Sequence, residues 1–273
     1  MKIIIQSVLV SGLSLLILWE MFSIQGCFRG VPEEEIFNLG GMGPSFDAYG
    51  LWKGKLKLNE NQDTTRYLNT LALISTTGES FFLYSDTNNT FYPLISYGFL
   101  KQNEIEISGT MTVFDTPGPP IGTLNISDGK MTEVHPGYRM MAQCIGSTPP
   151  LNGRGTLNLT RVDSNYSIPP SYSKITGHWE SQEANDTIFF DIQENGKFTG
   201  GNSSGGEFNG NILINWTDKN FYFINSFEIT GCGNQWNGTY HGFATIIDHH
   251  LNWVVVNQDE SFGIYLKLEH YGK

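Results

Sequence analysis

The sequence predicts an all-β protein: two tandem antiparallel β domains, small barrels or sandwiches, behind an N-terminal signal peptide and a tether. Three observations predict it. Apolar and polar residues alternate with a period of two through most of the chain, the pattern of strands with one face buried. The order of motifs in the first half recurs in the second. A polar stretch with adjacent prolines separates the halves.

The strands come in order after Tyr49. GESFFLYSD (78–86) is apolar and aromatic, and EIEISGTMTVF (104–114) alternates through Ile105, Ile107, Met111 and Val113. TLNIS and GTLNLTRV alternate around Leu124, Ile126, Leu157 and Leu159. Turns are expected at Thr77-Gly78, Asp128-Gly129, Asn195-Gly196, the Pro-Gly-Pro-Pro corner at 117–120, and Asp248-His249-His250 between FATIID and LNWVVV. No twelve-residue window carries an amphipathic helical period free of Gly or β-branched clusters.

Four matches carry the repeat. YGLWKGKLKL (49–58) aligns with ITGHWESQEA (175–184), placing Gly50 on Gly177 and Trp52 on Trp179. LALISTTGESFFLY (71–84) aligns with IFFDIQENGKFTGG (188–201). ISGTMTVF (107–114) aligns with FNGNILIN (208–215), and residues 138–159 align with 224–246, which brings Cys144 near Cys232. Between the halves, DSNYSIPPSYSK (163–174) cannot run as a strand, because adjacent prolines remove ladder donors. The boundaries are a signal peptide over 1–26, a tether over 27–47, a first domain over 48–163, a linker over 164–174 and a second domain over 175–273.

Of 273 residues, 39% are hydrophobic and only 16% charged, with 31 Gly, so the surface is solvated by Asn, Ser and Thr more than by ions. That composition suits an extracytoplasmic β protein. A net charge of -11 argues against a nucleic-acid partner, whose phosphates need a basic stripe.

The N-terminus places Lys2 before the apolar segments Ile3–Ile5, Val8–Val10 and Leu13–Trp19, the order of a secretory signal. At its end, Ile24-Gln25-Gly26-Cys27 resembles the lipobox of bacterial lipoproteins. The resemblance implies that the Cys27 thiol receives a diacylglycerol and that the preceding peptide is removed. Two or three acyl chains then hold the protein at a membrane, each buried CH₂ contributing roughly 0.8 kcal/mol. The next residue is Phe28 rather than the aspartate that marks inner-membrane retention in that family, so the resemblance implies an outer-membrane lipoprotein facing periplasm or surface. The other reading is an ordinary secretory signal or an uncleaved anchor, with a secreted or periplasmic product and Cys27 an incidental thiol. Residues 29–47, with three adjacent glutamates and four Gly before Pro44 in GVPEEEIFNLGGMGPSFD, read as a tether.

With Cys27 lipidated, Cys144 and Cys232 are left to form one disulfide, worth about 4 kcal/mol on the chain-entropy model, or to stay as buried free thiols. No catalytic constellation is expected: the nucleophile-elbow motif is missing, and the carboxylate pairs Glu104/Glu106 and Glu183/Asp186 suit solvent-facing strand positions. No metal site is expected, since adjacent His249 and His250 face one way only in a turn. No cofactor is expected either. Trp216 and Trp236 sit beside Asn in loop-like stretches, where exposed rings and amides suit a sugar face.

Gly50-Leu51-Trp52 and Gly177-His178-Trp179, each opening a series of hairpins, resemble the lipocalin style of β-barrel. That resemblance implies a Trp closing one barrel end and a lumen for a small apolar ligand. The expected function is therefore a cell-envelope lipoprotein with a non-enzymatic binding or structural role. The alternatives are a lipocalin-like carrier of a small apolar ligand or a carbohydrate-binding β module. The ligand or protein partner stays open.

Overall fold

The computed structural model describes residues 48–271, apart from 62–63, 87–90, 135–136, 163–169, 184–185, 215–220 and 234. The lipidation candidate Cys27, the signal and the tether lie outside the described residues. Two closed eight-stranded antiparallel barrels follow one another along the chain.

Barrel 1 comprises β1 (Gly50–Asn61), β2 (Thr64–Ile74), β3 (Glu79–Ser85), β4 (Phe91–Asn103), β5 (Glu106–Asp115), β6 (Pro120–Val134), β7 (Gly137–Gly146) and β8 (Gly153–Arg161). A single helical turn, α1 (Tyr172–Ile175), leads into barrel 2. Barrel 2 comprises β9 (Gly177–Glu183), β10 (Asp186–Ile192), β11 (Lys197–Asn202), β12 (Glu207–Leu213), β13 (Tyr222–Thr230), β14 (Gly238–Ile247), β15 (His250–Asn257) and β16 (Gly263–Tyr271). Each strand pairs with its sequence neighbours, and β8 and β16 close back onto β1 and β9. Closure removes the open sheet edge that another chain could extend.

The repeat is visible atom by atom at the first three strands of each barrel. Gly50 and Gly177 open β1 and β9 at φ +123° and +125°, a region that side-chain-bearing residues avoid. Two residues on, the indole N–H of Trp52 donates to the Ala48 carbonyl and that of Trp179 to the Ile175 carbonyl, both at 2.7 Å. The turn after the second strand is built alike. Gly78 N–H donates to Ser75 O and Gly196 N–H to Gln193 O, both at 3.0 Å, and each glycine's carbonyl then accepts from the fourth strand, at Leu100 N or Ile212 N.

The later matches slip. ISGTMTVF lies on the fifth strand of barrel 1, whereas FNGNILIN begins on the fourth strand of barrel 2, and residues 138–159 and 224–246 are off by two strands. Alternating, Gly-punctuated hairpins look alike in sequence, so neighbouring strands align almost as well as equivalent ones. Cys144 on β7 and Cys232 after β13 are therefore not counterparts. Each barrel core takes one of them, and both thiols are free, so the expected disulfide is not formed.

Other expectations also shift. Asp128-Gly129 is no turn: β6 runs through it as one 15-residue strand, with register breaks on both neighbours and Asp128 at φ +49°. This is a bulge. Ile105 belongs to the β4–β5 turn, 52% exposed, instead of starting the β5 alternation. The end of the linker forms α1. Asp248 and His249 do make the two-residue turn between β14 and β15, both at positive φ, as a primed hairpin turn requires.

Strands β5 to β8 alternate between buried and exposed residues because only their inner face is covered, as the β7 pattern of buried Met140, Ala142 and Cys144 shows. Strands β3 and β15 are buried almost throughout. Their outer faces meet across the barrel junction. Leu71, Leu73, Phe81, Leu83, Ile95 and Phe114 of barrel 1 pack with Phe221, Phe243, Val254 and Val256 of barrel 2. Phe81 meets Phe243 edge-on at 5.2 Å. The backbones of Gly118 and Gly263 exchange two hydrogen bonds of 3.0 and 2.9 Å across the junction. A Cβ on Gly263 would press against Phe114, so this bridge requires a residue without one.

Candidate functional site

Among the described residues, neither lumen is an open cup. In barrel 1, Trp52, Tyr84, Met111, Val113, Leu124, Met140, Leu157 and Leu159 are fully buried and pack together in one core. In barrel 2, Phe190 stacks on Trp253 at 4.8 Å, and Phe198 and Phe227 close around the pair at 5.0 and 5.7 Å from Trp253. Trp52 and Trp179, which carry the lipocalin resemblance, are both buried, each with its indole N–H donating to a backbone carbonyl. The apolar ligand that resemblance implies finds no lumen to occupy among these residues.

The aromatic candidates fare unequally. Trp236 is half-buried, packing on Phe262 at 5.9 Å, and its carbonyl accepts from the Tyr240 hydroxyl at 2.8 Å, so it caps the barrel 2 core. Trp216 lies outside the described residues. Burial pushes the Cys144 thiol up to about 12 and raises that of Cys232 as well, with Asp186 adding to the latter, so both favour the protonated form.

Polar chemistry gathers instead at the junction and beside it. Glu79, Tyr97 and Phe99 belong to adjacent strands β3 and β4 and point outward, where His241 of β14 comes over from barrel 2. The Tyr97 hydroxyl lies 3.1 Å from His241 Nε2, and His241 Nε2 lies 3.6 Å from Glu79 Oε1. Burial drives all three toward their neutral forms. It raises Glu79 to about 7 against an opposing hydrogen bond from Tyr97, with the nearby charge of Glu260 adding to the rise. Burial also raises Tyr97, helped by the charges of Glu79 and Glu260, and lowers His241. Glu79 is only 18% exposed, and its Oε1 has no hydrogen-bond partner.

Next to this cluster is an open cleft of about 600 Å³ on the outer face of β4, β5 and β6, with Glu260 from the β15–β16 turn at one wall. Strand register builds its floor. Glu79 pairs with Phe99, Phe99 with Thr110, and Thr110 with Asn125, one row across four strands. Thr110 Oγ1 donates to Asn125 Oδ1 at 2.8 Å. Phe99 is 48% exposed and meets Tyr97 edge-on at 6.1 Å. Lys101, Ser108 and Thr112 complete the polar lining. Barrel 2 has a cleft of about 460 Å³ over β11–β13, reaching Thr239 of β14, also with one lysine, one glutamate and several hydroxyls and amides.

A second polar cluster lies on the outer face of barrel 2. His178 is held between Asp191 at 2.7 Å and Glu180 at 2.9 Å, and these partners, Asp191 foremost, raise its pKa. His250 of the β14–β15 turn region contacts Glu269 at 3.3 Å. Among the described residues no three His, Cys, Asp or Glu side chains converge on a point that could hold a metal.

Fold and site together define a tandem eight-stranded β-barrel protein with filled lumens and a polar cleft beside the barrel junction. Comparison with known proteins finds no matching family model, no matching curated protein and no matching solved structure.

Proposed function

We propose that this chain is an exported cell-envelope protein, anchored through lipid on Cys27, with a non-enzymatic binding role carried on the outer faces of its barrels. Support for the anchoring comes from the signal-like N-terminus and the Ile24-Gln25-Gly26-Cys27 stretch that resembles a lipobox. The observation that carries the binding role is the contrast between packed lumens and the open, hydroxyl-lined cleft over β4–β6. Sites of this kind suit ligand recognition, since a few convergent polar groups fix orientation. The membrane is the partner through the lipid, and the acidic surface disfavours nucleic acid.

The test is metabolic palmitate labelling with intact-mass measurement of the wild type and Cys27→Ala. The expected result is a labelled mature chain that starts at Cys27 and fractionates with the outer membrane, with both label and fractionation lost in Cys27→Ala. An unlabelled chain, or unchanged fractionation of the variant, overturns the anchoring.

A further inference from the structure

We propose that the cleft over β4–β6 binds a neutral glycan, with one sugar ring stacked on Phe99 and its hydroxyls paired with Thr110, Asn125 and Ser108. The assignment rests on the outer-face binding role proposed above and names its ligand class. A pyranose presents a face of C–H groups and a rim of hydroxyls, each both donor and acceptor. It needs an aromatic platform surrounded by hydroxyls and amides, which likewise donate and accept. Phe99 is such a platform: nearly half of it is exposed, and Tyr97 fixes its edge. The Thr110–Asn125 hydrogen bond holds two of the partner groups in place, and the cross-strand row sets Thr110 beside the ring and Asn125 one strand further along.

Competing ligand classes fit less well. The cleft's about 600 Å³ falls in the usual range for small-ligand sites, and its lining mixes the Phe99 ring with the hydroxyls of Ser108, Thr110 and Thr112 and the Asn125 amide, the mixture a sugar presents in return. Lys101 and Glu260 offset each other, which removes the charge bias that an anionic or cationic ligand would need. A peptide added as an extra strand has no edge to join in a closed barrel.

Barrel 2 supplies an internal control. Its cleft offers Asn209, Asn211, Ser226 and Thr199, but the one ring there, Phe198, is only 2% exposed. Without a platform it is expected to bind far more weakly.

The experiment is titration calorimetry of the full chain in detergent micelles against soluble oligosaccharides of glucose, mannose, galactose, xylose and N-acetylglucosamine. At least one is expected to bind wild type. Phe99→Ala should weaken that binding about ten-fold, the factor carried by ~1.4 kcal/mol. Phe99→Tyr should retain it, and Asn209→Ala in barrel 2 should leave it unchanged. No binding by wild type to any of these sugars, or wild-type affinity in Phe99→Ala, overturns the assignment. Because the calorimetry does not depend on where the protein is anchored, failure here with Cys27 still labelled removes the glycan and leaves the anchoring standing.

Discussion

The two barrels share their frame and differ in their filling. Both open on a positive-φ glycine, both tie a tryptophan indole to a carbonyl four residues earlier, and both turn at an identically bonded glycine. Inside, barrel 1 packs leucines, methionines and a cysteine, whereas barrel 2 packs a nest of rings around Trp253. The backbone devices that start and turn strands are thus kept while the lumen is filled by different residues. This is expected if close packing can be met by more than one set of shapes of similar volume.

Trp253 and Met111 give the sharpest test of that difference, since both are fully buried at the barrel centres. Trp253→Ala should cost about 3–5 kcal/mol, because the surrounding rings cannot collapse into the space, and Met111→Ala about 2–3 kcal/mol. The Trp253 indole N–H has no partner, unlike those of Trp52 and Trp179. Trp253→Phe should therefore lose much less than Trp253→Ala, since it removes an unsatisfied donor along with part of the ring. Urea unfolding of the three variants checks this. Equal losses in Met111→Ala and Trp253→Ala would show that the two fillings are energetically alike.

A smaller effect concerns the junction where the barrels meet. Glu79 titrates at about 7 in the folded chain against an ordinary 4.5, so its protonated form favours the folded state. Its contribution is complete below pH 4.5 and is lost as pH rises through 7, at most on the order of 3 kcal/mol. His241, lowered by burial, acts in the opposite sense and loses stability as pH falls below its ordinary 6.5. Glu79→Gln isolates the first term. The variant should gain on wild type as pH climbs from 4.5 to 7 and keep a constant advantage above, as read from unfolding midpoints across that window.

The smallest effect tests the shared frame. Gly78 and Gly196 sit at φ +85° and +81°, where an alanine is strained. Gly78→Ala should cost about 1 kcal/mol or somewhat more through backbone strain, and Gly196→Ala more, because a Cβ there also runs into the Ile212 carbonyl oxygen and the Tyr172 ring. Equal losses in thermal unfolding would show that backbone strain alone sets the cost and that Tyr172 yields freely over the second turn.

Strand content, the two-domain division and the turns at Gly78, Gly196 and Asp248-His249 were legible because each is written in a few adjacent residues. The repeat was legible only where glycine and tryptophan mark a position uniquely, and it slipped where only alternation was available to align. The cleft and its neighbouring cluster left almost no trace. Tyr97 and His241 lie 144 residues apart and are joined only when the barrels dock. One signal was present but unread. LALI, FFLY and WVVV break the alternation that the rest of the chain obeys, and a strand apolar on both sides is one that is covered on both sides. Phe99, the exposed ring, lies outside those runs, in ISYGFLK, where nothing in the sequence distinguishes it from a core position.

The double-sided burial of β3 and its neighbours also bears on how the chain is made. Barrel 1 is synthesised first and can close on itself, but Phe81, Leu83 and Ile95 then face outward with nothing to cover them until β13 to β15 are complete. At ~5–20 residues per second, the roughly 100 residues of the second half leave that surface bare for on the order of 10 s. A protein with this architecture has a built-in interval of stickiness during its own biogenesis, during which a chaperone holding the half-made product has a defined hydrophobic face to hold.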